Sequence, residues 1–239
     1  MTVAAGVLLA AGRAAPVAFL SPALGERARL VRLVMAGVLA FALWPAVVAM
    51  PLALPLGVAV AHELMVGVAL GLVAAVPFAA AQAAGALVDR ARGDGRRSGR
   101  SFQSAYSLLA LALFASLSGP RLVVSGLAQS YVAFPLGGTP SAAGGIEVAL
   151  TAGGHLVVAA VGLAAPVLAA LLLADLVAGL AVRAQPALAQ AIGLPSVRNL
   201  LAAGVAAAGI AVLARALLSD GEALPRAMLD AARQLKGVL

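Results

Sequence analysis

Few residues in this chain could do chemistry, and their neighbours are wrong for catalysis. His62-Glu63 is one place where an imidazole adjoins a carboxylate, but Val66 stands where a zinc protease needs its second histidine, one helical turn on. Ser118-Gly119 and Ser125-Gly126 lack the preceding glycine and paired histidine of an intramembrane serine protease. The stretch Gly93-Asp-Gly-Arg-Arg-Ser-Gly99 lacks the lysine that a phosphate loop places on its anion. Two histidines and no cysteine offer no metal cluster, disulfide or reactive thiol. We expect no catalytic residue, no cofactor and no metal. The plain reading of Glu63 is a charge at a helix end near the membrane interface. Asp175 is different, because a carboxylate deep in an apolar helix costs about 2.5–3.5 kcal/mol on insertion scales. Arg183 lies two turns further on, too far for i, i+4 pairing. Asp175 is therefore expected to meet another segment, a partner subunit or water, with proton relay the less favoured role.

The elements that position these residues follow from composition. Of the 239 residues, 63% are apolar and 10% charged, whereas soluble domains run near 45–50% and 25%. The surplus apolar surface must face lipid or protein. Membrane spans need about 20 apolar residues, and apolar runs occur at Val3 to Leu24, Leu33 to Met50, Leu56 to Val88, Phe102 to Phe134, Val148 to Val182 and Ile192 to Leu218. The third, fourth and fifth exceed one span. Each holds a breaker: Pro77, the Ser118-Gly119-Pro120-Arg121 step, and Gly153-Gly154 followed by Pro166. The expected fold is all-α, a polytopic membrane protein of about six apolar segments with bent helices and helical hairpins. One domain over 1–239 is the simplest division, since no linker or repeat interrupts the chain. Met1 to Gly12 has no basic start, and Arg13 interrupts its apolar run, so we expect a first helix and not a cleaved signal. In 220–239 the apolar residues Leu224, Met228, Ala231, Ala232 and Leu235 recur at helical spacing, which predicts an amphipathic helix at an interface.

Charge is sorted between the runs. The net +7 comes from fifteen arginines and one lysine against nine acids. Arg27, Arg29 and Arg32 in one loop and Arg90, Arg92, Arg96, Arg97 and Arg100 in another both read as cytoplasmic. The second cluster has two principal readings. It is either a flank held at anionic lipid, worth about 1 kcal/mol per basic residue, or a pore-lining plug whose glycines let it rearrange. Nucleic acid is not an expected partner, for Phe102 and Tyr106 supply two rings and no stacking platform.

The third segment is the most informative. It reads Glu63, Gly67 and Gly71, then Pro77-Phe78, then Gly85, Asp89 and Arg92-Gly93. Gly67 and Gly71 make a face that another helix can approach closely. With Ser130-Tyr131 ahead of Phe134-Pro135, and with Asp175, Gly179-Leu180, Arg183 and Pro186, this series closely resembles the SctT (YscT-type) export apparatus protein of bacterial type III secretion, related to flagellar FliR. The resemblance runs from about Arg13 to Arg215 and departs after Pro186, where Ala187-Leu-Ala-Gln190 replaces the family's Gln-Leu-Asn run.

That resemblance implies a multi-pass subunit of the bacterial inner membrane, with part of the assembly raised toward the periplasm. Its partners would be SctR-, SctS- and SctU-type subunits, a needle or inner-rod adaptor, lipid, and the unfolded substrates that thread the gate in virulence-associated secretion. It also implies a channel plug over Asp89, Arg90, Arg92, Gly93, Arg96, Arg97, Arg100 and Phe102. The candidate helix-packing or inter-subunit residues are Glu63, Gly67, Gly71, Pro77, Phe78, Gly85, Ser130, Tyr131, Asp175 and Arg183. The alternatives are a flagellar FliR-type subunit and, from another class, a small-solute permease subunit with a midplane site between broken helices.

Overall fold

A computed structural model describes residues 2–20, 29–51, 54–91, 101–184 and 223–236, with Gly204 and Arg215. The fold is all-helical, with no strand among the described residues. The elements are α1 (Val3–Leu20), α2 (Arg29–Val48), α3 (Leu56–Ala91), α4 (Ser101–Ser116), α5 (Gly119–Ala133), α6 (Ala142–Ala184) and a C-terminal α7 over 223–235. Four helices are long and apolar enough to cross a membrane, and the bent pair α4–α5 makes a fifth if counted as one span. The expected sixth segment, Ile192 to Leu218, and the residues from Pro186 to Arg198 lie outside the described residues, Gly204 and Arg215 apart.

α1 lies between α2 and α3, while α3 carries α4 and α6 along the rest of its length. Small residues permit this. A Cβ added to Gly67 would stand 2.6 Å from the Arg13 carbonyl oxygen, and one on Gly71 would stand 2.9 Å from that of Pro16. The backbones of α1 and α3 thus touch where Gly67 and Gly71 stand. Further along α3, a Cβ on Gly85 would stand 2.6 Å from the Gln103 Cα of α4. Lipid offers little hydrophobic drive between helices, so contact at backbone range supplies the van der Waals attraction that does the associating.

The residues of α3 that meet these neighbours form one stripe. At 3.6 residues per turn, Glu63, Gly67, Gly71, Phe78, Gln82, Gly85 and Asp89 fall within roughly 100° of its circumference. The lower half of that stripe faces α1 and the upper half faces α4. Two buried clusters result. One joins α1, α2, the lower half of α3, α5 and α7; the other joins the upper half of α3 to α4 and to α6 between Ala160 and Leu171.

Two expectations about helix shape need correction. Pro77 and Pro166 do not turn their segments into hairpins, for α3 and α6 run through them as continuous helices. A proline inside a helix removes one backbone hydrogen bond, a loss that neighbouring helices can offset in a packed bundle. Only the fourth segment breaks, by 72° between α4 and α5. There Ser118 is left-handed at φ 58, Gly119 abuts the Phe114 ring, and Pro120 starts the new helix. The C-terminal helix also differs from expectation. Leu224, Met228, Ala231, Ala232 and Leu235 are the buried face of α7, but they pack into the protein core and not onto a membrane surface. The Met228 Sδ would stand 2.6 Å from a Cβ on Gly126 of α5, and Leu235 accepts a hydrogen bond from the Ser141 amide at 2.8 Å.

Gly67→Val should lower stability by about 1–3 kcal/mol through overpacking, read as a fall in thermal midpoint of the purified protein in detergent. Gly153→Ala, which meets nothing within 4 Å, should be neutral or slightly stabilising under the same assay.

Candidate functional site: a buried arginine hub

Among the described residues, the buried polar and charged side chains Arg13, Glu63 and Ser130 come together from three helices. α1 brings Arg13 from its middle, α3 brings Glu63 from its third turn, and α5 brings Ser130 and Tyr131 from its last turn, with Phe134 as its C-cap. Arg13 and Glu63 are 0% and 1% exposed. The glycines set the separation. Gly12, beside Arg13, sits so close to α3 that an added Cβ would be 3.2 Å from the Glu63 Cβ, and Gly67 one turn along admits the Arg13 backbone. The guanidinium therefore lies across the seam instead of reaching out of it.

Its donors are almost fully used. Arg13 Nε donates to Glu63 Oε2 at 2.6 Å, and Nη2 donates to Oε1 at 2.9 Å, a side-on bidentate pair. Nη1 donates to Ser130 Oγ at 3.1 Å, and Nη2 also donates to the Phe134 carbonyl at 3.1 Å. Four of the five N–H groups of a guanidinium are thus engaged within the chain. The Tyr131 ring covers the guanidinium face with its centroid 3.7 Å from Cζ, and the Phe134 ring lies further off at 6.0 Å. Ser130 Oγ in turn donates to the Leu127 carbonyl at 2.7 Å, which fixes the hydroxyl as an acceptor toward Arg13.

The electrostatic logic is closure. Alone, either ion would be costly at this depth; together they cancel net charge, and both carboxylate oxygens and most guanidinium protons find partners. A carboxylate held on both oxygens by a guanidinium is a poor general base. The geometry suits clamping, not proton traffic or bond breaking. No group of three or more metal-ligating side chains occurs among the described residues.

The sequence-predicted residues fall into three places. Glu63, Gly67, Ser130 and Tyr131 meet at the hub, with Gly71 one turn away on the same seam. The reading of Glu63 as an interfacial helix-end charge is overturned, since it is buried and ion-paired in a long helix. Phe78, Gly85 and Asp89 join Gln82 on the α3–α4 seam, next to Pro77. There the Phe78 and Phe114 rings meet edge to face at 4.9 Å, and Gln82 Nε2 donates to Ser107 Oγ at 2.9 Å. Asp89 accepts from the Phe102 and Gln103 amides at 3.1 and 3.0 Å. It thereby caps α4, whose first-turn N–H groups have no intrahelical acceptor. Phe102 is half-buried against the second cluster and Arg90 is exposed. Arg92, Gly93, Arg96, Arg97 and Arg100 lie outside the described residues. Asp175 and Arg183 are both exposed on the far half of α6, away from the hub.

Sequence reasoning missed Arg13 as a site residue. The available signal was a pair of opposite charges, each several residues inside a separate apolar run, with a glycine beside Arg13 and another one turn beyond Glu63.

An all-helical bundle with four helices long and apolar enough to cross a membrane, clamped by a buried ion pair, has the build of a polytopic membrane protein. The comparison with protein families is consistent with this: residues 4–219 match the bacterial export proteins, family 1. The chain belongs to that family, that of FliR-, SctT- and YscT-type proteins of the type III export apparatus, and is a bacterial export-apparatus subunit. The family is not one of enzymes. No curated protein matches the chain.

Glu63→Gln should destabilise the protein by about 3–5 kcal/mol, because it leaves a buried guanidinium without its counter-ion. Ser130→Ala should cost nearer 1 kcal/mol, the loss of one hydrogen bond. Denaturant titration of the two purified variants against the parent measures both, and equal costs would contradict a hub centred on the ion pair.

Proposed function

We propose that this subunit helps to build and gate the channel through which a type III secretion system passes unfolded proteins across the inner membrane. The family match over residues 4–219 carries this reading. Incomplete burial supports it. Only 28% of the most apolar window of α2, and the same share of α6, is buried, against 56% in α3. Leu30, Val34, Val38 and Phe41 on α2, with Leu172, Leu173, Leu176 and Val177 on α6, stand open. A half-open groove of about 880 Å³ between α3, α6 and α7 adds concave apolar surface. Such faces suit SctR-, SctS- and SctU-type partners as well as lipid. Asp175, among the open leucines of α6, belongs on this reading to a polar contact between segments or subunits.

The stretch from Asp89 to Phe102 is the proposed channel plug. Asp89, by holding the Phe102 and Gln103 amides, ties the two ends of that stretch together at the top of the α3–α4 seam. Pro77-Phe78 and the Asp89 to Gly93 stretch favour the injectisome form over the flagellar one.

The chain has no cysteine, so a single introduced thiol is the only one it carries. In a complex co-expressed with SctR- and SctS-type subunits and a stalled substrate, cysteines at Arg96 and at Phe102 should crosslink to that substrate. A cysteine at Val38 on the outer face of α2 should not. Labelling of all three only from bulk solvent or lipid would overturn the plug assignment, and failure of the chain to co-purify with the partner subunits would overturn the gate reading itself.

A further inference from the structure

The bonds that converge on Arg13 are of two strengths, and they divide between two bodies. Toward α3 they are ionic: two short charge-assisted bonds to Glu63, at 2.6 and 2.9 Å, with the backbones in contact at Gly12 and Gly67. Toward α5 they are longer and made to neutral groups: a hydroxyl and a carbonyl, each at 3.1 Å, and the face of Tyr131. The buried Tyr131 hydroxyl makes no hydrogen bond among the described residues. The rest of the α5 contact is apolar. Among the described residues it includes Val123 and Leu127 in the core and Gly126 against Met228 of α7, and such packing has no directional bond to break.

The other end of α5 is an elbow. It turns 72° from α4 through Ser118, which at φ 58 is the one non-glycine residue with positive φ among the described residues. A serine pays a conformational cost there that glycine would not. α4 itself is fastened to α3 by the Asp89 cap, the Gln82–Ser107 bond and the Phe78–Phe114 contact. The chain thus has a fixed arm, a strained elbow and a second arm held at its tip by bonds to neutral groups.

We infer that Arg13 is a two-tier latch, in which the ion pair to Glu63 locks α1 to α3 while the Ser130, Tyr131 and Phe134 contacts form a releasable catch that holds α5 bent at the Ser118 elbow. When the catch lets go, Arg13 remains neutralised by Glu63, so no lone charge is exposed to the apolar interior. The release therefore avoids the penalty that opening the ion pair would incur. α5 pivots at Ser118, and α7 follows it through Met228. The inference concerns a conformational step within this chain and stands whether or not Asp89 to Phe102 is the channel plug.

Double electron–electron resonance on the full-length chain in nanodiscs tests it. One spin-label pair at Leu64 and Val132 reports α3 against α5. A second at Leu8 and Leu64 reports α1 against α3. All three sites are exposed, at 48% for Leu8 and Leu64 and 80% for Val132. In Ser130→Ala/Tyr131→Leu, and more weakly in Ser130→Ala alone, the α3–α5 pair should gain a second distance population while the α1–α3 pair stays as in the parent. Tyr131→Phe, which keeps the ring, should leave both unchanged. Adding Ser118→Gly to the double variant should return population to the bent state, because straightening then relieves no strain. An unchanged α3–α5 distance, or both pairs broadening together, would overturn the latch.

Discussion

A guanidinium cannot sit unpaired in an apolar interior. Arginine does not shed its proton, so it cannot escape the cost of burial by becoming neutral, as a buried lysine or glutamate can. Arg13 is fully buried in the middle of an apolar helix, and much of the neighbouring structure is what that fact requires. Glu63 supplies the opposite charge, Ser130 and the end of α5 take remaining donors, and Tyr131 covers the face. An apolar pair of the same volume could have stabilised these helices as well or better. What the ions add is direction: they permit one register of α1 on α3 and one docking point for α5.

The same constraint explains the glycines. A side-on carboxylate–guanidinium pair needs its two helices near each other, and Gly12 and Gly67 remove the methyl groups that would hold them apart. The stripe that begins with this seam continues up α3 to Asp89, so one helix face serves α1 below and α4 above. That economy leaves much of α2 and the far half of α6 uncovered. Such incompleteness is expected of a subunit in a larger membrane assembly.

Much of this was legible in the sequence, and the exceptions have physical causes. The first five apolar runs located α1 to α6, and the helical spacing of Leu224, Met228, Ala231, Ala232 and Leu235 identified the buried face of α7. What it faces is not in the pattern, because core and membrane surface ask for the same amphipathicity. The Ser118-Gly119-Pro120 step read as a breaker and is one; Pro77 and Pro166 read alike, but α3 and α6 run through them without a break. Proline alone costs one hydrogen bond, whereas the elbow also has a left-handed residue and a glycine against Phe114. Glu63 was misread because a charge early in an apolar run looks interfacial until its partner is known. Arg13 is 50 residues away along the chain, and no local period connects them.

The central claim is that Arg13 and Glu63 act as one unit. A double-mutant cycle on unfolding free energy, with Arg13→Met, Glu63→Met and both together, tests this most directly. The two single variants should each be strongly destabilised and the double variant far less than their sum, a coupling of about 2 kcal/mol or more in the upper range for contacting residues. Additive costs, with the double variant as unstable as the two singles combined, would show that the pair does not organise the fold.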